Sequence, residues 1–166
     1  VLMRGVNDDE AVPLLRHAVA NGWNLRFIEQ MPLDAGGSWD RAEMITVEEI
    51  FSMLSAEFEL APVPGRGSAP AEEFTVDGGP ATVGLSASVS KPFCAACDRV
   101  RLTADGRLRP CLLSDEEVDL RPALRQGASQ ETLEGFVRQA IENKPARHHL
   151  ADGVVPTGRG MSQIGG

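Results

Sequence analysis

The amino-acid sequence predicts a mixed fold, α/β at its start and α+β beyond, on three observations. A strand, a helix and a second strand fit within the first 31 residues, the rhythm of a parallel sheet or barrel. Residues 61–73 are rich in Pro and Gly. After them come two hairpin signals and one amphipathic helix.

Val1-Leu2-Met3 reads as the end of a strand, and Gly5 to Asp8 as a turn. Asn7 with Glu10 three residues later is a capping-box pattern. Val12, Leu15 and Val19 then recur at helical spacing, and Gly22 stops the helix. Leu25 to Met31 is a strand-length run ended by Pro32. Thr46 and Glu49 form a second capping box, opening a helix that buries Ile50, Phe51, Met53 and Leu54. Residues 61–73 read as a linker, so a domain boundary is expected there. Phe74–Val76 and Ala81–Leu85 flank Asp77-Gly78-Gly79-Pro80 as one hairpin. Arg99–Thr103 and Arg107–Cys111 flank Asp105-Gly106 as another. Leu133, Phe136, Val137, Ala140 and Ile141 mark one face of a helix closed by Asn143-Lys144-Pro145. The tail from Asp152 to Gly166 is Gly-rich with almost no core-forming residues, giving segments 1–60, 61–73, 74–150 and 151–166.

Hydrophobic residues are 42% and charged residues 24% of the chain, which excludes wholesale disorder. No stretch approaches the roughly 20 apolar residues of a membrane span, and the opening lacks the basic-then-apolar plan of a signal peptide. A cytoplasmic protein without membrane contact is expected. A net charge of −8 argues against wrapping nucleic acid, since phosphate binding needs a basic surface. Charge is uneven, however: Lys91, Arg99, Arg101, Arg107 and Arg109 face only Asp98 and Asp105 within residues 91–111. Such a local patch suits a small anion.

The three cysteines are an odd number, which a disulfide framework does not use. Cys94 and Cys97 share a CxxC loop, and Cys111 follows after 13 residues. If Asp105-Gly106 turns the hairpin, Cys111 falls opposite Val100 or nearby. At about 3.3 Å per residue and under about 5 Å between strands, the three sulfurs are able to meet. A structural zinc would need a fourth ligand, with His148 or His149 as late candidates and His17 in the first helix. An iron–sulfur cluster with three thiolates would keep one iron open to a small molecule. Arg99 and Arg101, two apart on an expected strand, share a face and present planar donor forks to an anion, which favours the cluster.

The stretch FCAACDRVRLTADGRLRPCLL resembles the C-terminal cluster motif of the GTP 3′,8-cyclases, radical S-adenosylmethionine enzymes also called molybdenum cofactor biosynthesis protein A. GVNDDE, LRFIEQMPL and the terminal MSQIGG agree with the same family. The resemblance implies a lyase that rearranges GTP to (8S)-3′,8-cyclo-7,8-dihydroguanosine 5′-triphosphate on the route to cyclic pyranopterin monophosphate. It implies that Cys94, Cys97 and Cys111 ligate a second 4Fe-4S cluster with an open iron, and that Arg26, Arg99 and Arg101 bind GTP. Met31 would line the S-adenosylmethionine site, and Gly165-Gly166 would enter the active site in support of catalysis. Residues 1–60 would be the last βα units of an incomplete TIM-type barrel, followed by a small C-terminal domain with antiparallel hairpins and a helix. The full-length enzyme would be a homodimer served by an electron donor.

The family's CxxxCxxC loop, which binds the first 4Fe-4S cluster, has no counterpart here, because no cysteine precedes Cys94. A lysine for the GTP phosphates would lie just before Val1. The expectation is therefore a fragment without radical-generating activity of its own. Judged without the resemblance, Met31 is a core residue, Gly165-Gly166 an unstructured end, and Arg26 a strand arginine that must pair with Glu29 or an anion. The alternatives are a small structural zinc module using three Cys and one His, or a related radical enzyme acting on another substrate.

Overall fold

Apolar residues spaced by a helical turn set the first helix of the chain. The computed structural model describes residues 1–33 and 37–164 and divides into two units, Val1–Met31 with Trp39–Cys97 and Pro32–Ser38 with Asp98–Gly166.

In the first unit, helix α1 (Ala11–Ala20) buries Ala11, Leu15 and Ala18 and ends where Gly22 takes a φ of +69°. That left-handed turn lets the Trp23 N–H reach back to the Ala18 carbonyl at 2.9 Å. The expected Asn7–Glu10 capping box does not form. Asn7 instead turns back, its Oδ1 accepting from the Met3 N–H at 2.8 Å and its Nδ2 donating to the Val1 carbonyl. Nor is Val1–Met3 a strand: it makes one antiparallel bridge, Met3 to Met44, before the chain turns at Gly5. Strand β1 (Leu25–Ile28) therefore finds its parallel partner later in the chain.

Helix α2 (Val47–Ser55) starts on the expected box, with Thr46 Oγ1 accepting from the Glu49 N–H and Glu49 accepting from the Thr46 N–H. Ile50 and Leu54 are buried, while Phe51 and Met53 pack at the margin of the core. Residues 61–73, expected as a linker, lie inside this unit. Strand β2 (Leu60–Pro62) pairs antiparallel with β3 (Glu72–Val76), and the Pro/Gly-rich stretch is the loop between them. Prolines and glycines open a long hairpin loop as readily as a linker, so composition alone does not separate the two. Strand β4 (Thr82–Ser86) pairs with β3 as expected, around a turn whose Asp77 and Gly78 have φ of +51° and +64°. Two successive positive φ values make the tight turn that suits strand twist.

The sheet order is β1-β4-β3-β2, with β1 parallel to β4 and the other pairs antiparallel. Leu15, Ile50 and Leu54 of the helices meet Phe27, Val76, Val83 and Leu85 of the sheet. Each such side chain contributes about 1.5–3 kcal/mol by leaving water.

In the second unit, β5 (Arg101–Leu102), β6 (Arg107–Arg109) and β7 (Val118–Asp119) form an antiparallel sheet in that order. Helix α3 (Arg121–Arg125) follows, then α4 (Gln130–Glu142), capped by Ser129 accepting from the Thr132 N–H. Ala140 of α4 packs with Leu108 and Leu120, and Phe136 joins from the margin. Val137 and Ile141, expected on the buried face, are exposed. The core they were matched to is small, and Ala140 with Phe136 already covers it.

The tail differs most from expectation. Ile164 is fully buried, and the Met161 N–H donates to the Leu33 carbonyl at 3.0 Å. The Thr157 and Gly158 N–H groups donate to Asp115, and Arg159 forks onto Asp105 at 3.0 and 2.9 Å. Polar anchoring rather than an apolar stripe orders this segment, so hydrophobic periodicity does not reveal it. No helix among the described residues is long and apolar enough to cross a membrane.

Candidate cluster and anion site

Cys94 and Cys97 sit on one turn of 3₁₀-helix, Cys94–Ala96, closed by the Cys97 N–H donating to the Cys94 carbonyl at 3.1 Å. Both thiols are half-buried, so a ligand can reach them. The turn is mounted within the first unit. Glu29, only 1% exposed, accepts from the N–H groups of Val47, Val89 and Ser90 at 2.8–2.9 Å and from the Ser90 hydroxyl. The Arg66 guanidinium covers the Phe93 ring at 5.1 Å from its centroid.

Cys111, also half-buried, lies two residues beyond β6 in the second unit. The β5–β6 register pairs Arg101 with Arg109 and Leu102 with Leu108. Continued two residues, it would set Cys111 opposite Arg99, one place from the expected Val100. Pro110 has no N–H to donate, and the ladder stops before it. Arg101 therefore stands at the first rung of β5, half-buried, while exposed Arg99 precedes the strand. Lys144, at the end of α4, donates from Nζ to the Arg99 carbonyl at 2.7 Å. Nothing in the sequence links Lys144 to Arg99, 45 residues away.

The expected patch of five basic residues is smaller than its count. Arg109 is 1% exposed and donates to Glu117 at 3.0 Å, to Asp115 at 3.3 Å and to the Cys111 carbonyl at 3.3 Å. Arg107 faces Asp105, Glu117 and Asp119. Arg107 and Arg109 are thus engaged by carboxylates of the fold. The carboxylates respond accordingly. Arg159 and then Thr103 hold Asp105 far below the usual carboxylate range. Hydrogen bonds from the Thr157 and Gly158 backbone, against a cost of burial, lower Asp115.

Arg26 corrects the expectation drawn from its apolar strand. It is exposed and pairs with Glu73 at 2.7 Å, while Glu29 is committed elsewhere. Arg26, Gly84 and Glu73 are neighbours across β1, β4 and β3. A Cβ on Gly84 would come within 2.9 Å of Arg26 Cγ, so glycine makes room for the arginine to cross to Glu73. Met31 is half-buried and stands outside the core cluster. Gly165 and Gly166 lie outside the described residues.

The two histidines offered for zinc have partners in their own segment. His148 is 5% exposed, with Nδ1 accepting from the Leu150 N–H, and His149 Nδ1 pairs with Asp152 at 2.9 Å. Among the described residues, no three His, Cys, Asp or Glu side chains gather around one ion position. Zinc requires all its donors at about 2.0–2.3 Å from a single centre. An iron–sulfur cluster instead takes each thiolate on a different iron and spreads its ligands. Three accessible thiols are a donor set that suits a three-thiolate cluster.

The chain is similar to known proteins along its whole length. The chain is 53% identical over 169 residues to the GTP 3′,8-cyclase of Streptomyces coelicolor, covering all of this chain and 50% of that protein. It is 52% identical over 159 residues to the GTP 3′,8-cyclase of Rhodococcus opacus, covering 94% of this chain and 45% of that one. The corresponding figures for GTP 3′,8-cyclase 2 of Mycobacterium tuberculosis are 48% over 164 residues, with 95% and 46% coverage. The chain thus spans about half the length of the curated relatives it matches. Residues 23–150 match the family described as Molybdenum Cofactor Synthesis C, and the chain belongs to that family.

Proposed function

We propose that this chain is the cluster- and GTP-binding part of a GTP 3′,8-cyclase. The observation that carries the reading is the Cys94–Cys97 turn followed by Arg99, Arg101 and Cys111, within a chain matched along its whole length by proteins of that name. In this reading Cys94, Cys97 and Cys111 hold a 4Fe-4S cluster, whose fourth iron is left to bind the guanine of GTP. Arg99 and Arg101 direct guanidinium forks at the anionic oxygens of the nucleotide. Lys144 adds a third positive charge beside Arg99.

Arg26 joins them by exchanging Glu73 for the nucleotide. An exposed ion pair contributes about 0–1 kcal/mol, so this exchange costs little. Met31 lines the S-adenosylmethionine site, and Gly165-Gly166 supports catalysis. The first unit represents the last βα units of a larger barrel. Support comes from β1, a sheet-edge strand parallel to β4, with core-facing helices α1 and α2 beside the sheet. The remaining parts of the cyclase, including the site of radical generation, belong to the half of the relatives that this chain does not match.

Anaerobic iron, sulfide and zinc analysis with an absorption spectrum tests the reading. About four irons and four sulfides per chain are expected, followed by GTP-dependent perturbation of the chromophore. One zinc without sulfide would overturn it.

A further inference from the structure

We propose that Glu29 and Arg66 are positioning residues that fix the Cys94–Cys97 turn from two sides and aim its thiolates at the cluster. The inference rests on the reading of these cysteines as cluster ligands, but the mount is observed independently of any ligand.

A single 3₁₀ turn has little stability of its own, so its orientation has to come from its flanks. On one flank stands Glu29, at the end of β1 and buried, with no ion pair among the described residues. A buried carboxylate is costly unless its oxygens are hydrogen-bonded. Oε2 accepts from the Val89 and Ser90 N–H groups, each at 2.8 Å, and Oε1 from the Val47 N–H at 2.9 Å and the Ser90 hydroxyl. All four donors belong to two segments, the start of α2 and residues 89–90. The second leads through Lys91-Pro92 directly into Phe93, the residue that opens the cysteine turn.

On the other flank, Arg66 forms a plate over Phe93. Its Nε donates to the Ala69 carbonyl at 2.9 Å, Nη1 to Glu72 at 2.6 Å and Nη2 to the Pro70 carbonyl at 3.0 Å. With every nitrogen committed, the guanidinium plane is fixed, and Phe93 stacks on a rigid surface. The Phe93 carbonyl in turn accepts from the Ala96 N–H at 3.1 Å, so the ring and the turn are one assembly. The long β2–β3 loop thereby acquires a purpose, since it carries Arg66 to Phe93.

The test uses the full chain, reduced and metal-free, with iodoacetamide as the probe and alkylation of each cysteine followed by peptide mass spectrometry. In Glu29→Gln, Cys94 and Cys97 should react about tenfold faster, equivalent to about 1.4 kcal/mol of easier local opening. Cys111, which follows β6 in the second unit, should stay within about twofold. Arg66→Ala should also accelerate the first two thiols selectively, and it keeps the proposal testable if Glu29→Gln does not fold. Arg66→Lys retains the charge but not the plate, and should resemble Arg66→Ala. Equal acceleration of all three thiols, or none in either variant, would overturn the proposal. Iron and sulfide uptake by the unaltered chain is measured in parallel. Selective alkylation without cluster uptake would retain the mount and defeat the cluster reading, whereas cluster uptake with unselective alkylation would do the reverse.

Discussion

Replacing Arg109 with alanine should destabilise the second unit by about 3 kcal/mol. Its side chain is 1% exposed and makes three hydrogen bonds, to Glu117, Asp115 and the Cys111 carbonyl. These are not equal. The Asp115 side chain is 44% exposed, so water replaces most of what it loses. The Glu117 side chain is only 9% exposed, and removing its partner strands a nearly buried charge. Breaking such a pair typically costs about 3–5 kcal/mol. The low end applies because Arg159 Nε also approaches Glu117, at 3.1 Å. The assay is amide hydrogen exchange of β6 and β7 with a urea titration, which reports on this unit even if the two units unfold separately. In a double-mutant cycle with Glu117→Gln, the two losses should be strongly non-additive. A loss below about 1 kcal/mol, or simple additivity, would refute the assignment of Arg109 as the neutralising centre of the hairpin.

Arg101→Ala should weaken GTP binding by about 1.5–3 kcal/mol, the range for charge-assisted hydrogen bonds, with iron content unchanged. Calorimetric titration and iron analysis separate that outcome from a structural collapse. Acid should loosen both units. Asp119, hydrogen-bonded by Arg121, and Glu49, hydrogen-bonded by Arg4 and the Thr46 backbone, are each lowered to about 2. Depressed carboxylates stabilise the fold above their unfolded values near about 4, and that contribution fades as pH falls from about 4 toward 2. Denaturation midpoints at neutral pH and across that window should show the decline, whereas a flat profile would contradict it. Thr46→Ala should cost about 1 kcal/mol by removing the side-chain cap of α2, read from thermal unfolding.

What the sequence made legible follows from how local each signal is. Thr46 and Glu49 are three residues apart, and their reciprocal bonds form wherever a helix starts there. The Asn7–Glu10 pair has the same pattern, yet Asn7 found closer partners in the Val1–Met3 backbone. The Asp77-Gly78 turn was readable because few residues accept two positive φ values in succession. By contrast, the parallel pairing of β1 with β4 joins residues 58 apart, and no local pattern specifies it. The site divides the same way. Cysteine spacing singled out Cys94, Cys97 and Cys111 as candidates, but the partners of Arg26, Arg66 and Arg109 depend on which carboxylate the fold brings near. Glu29 carried a faint signal, an acid ending an apolar strand just ahead of Pro32, although its partners were hidden.

Those arginine partners also show which basic residues of the motif serve the fold itself. In the second unit, Arg107, Arg109, Arg121 and Arg159 pair among Asp105, Asp115, Glu117 and Asp119, four charges against four. The hairpin is thus cross-linked by charge yet electrically balanced, and it projects little field of its own. A count of basic residues in the motif would credit Arg107 and Arg109 to an anion, whereas both are engaged by carboxylates of the fold.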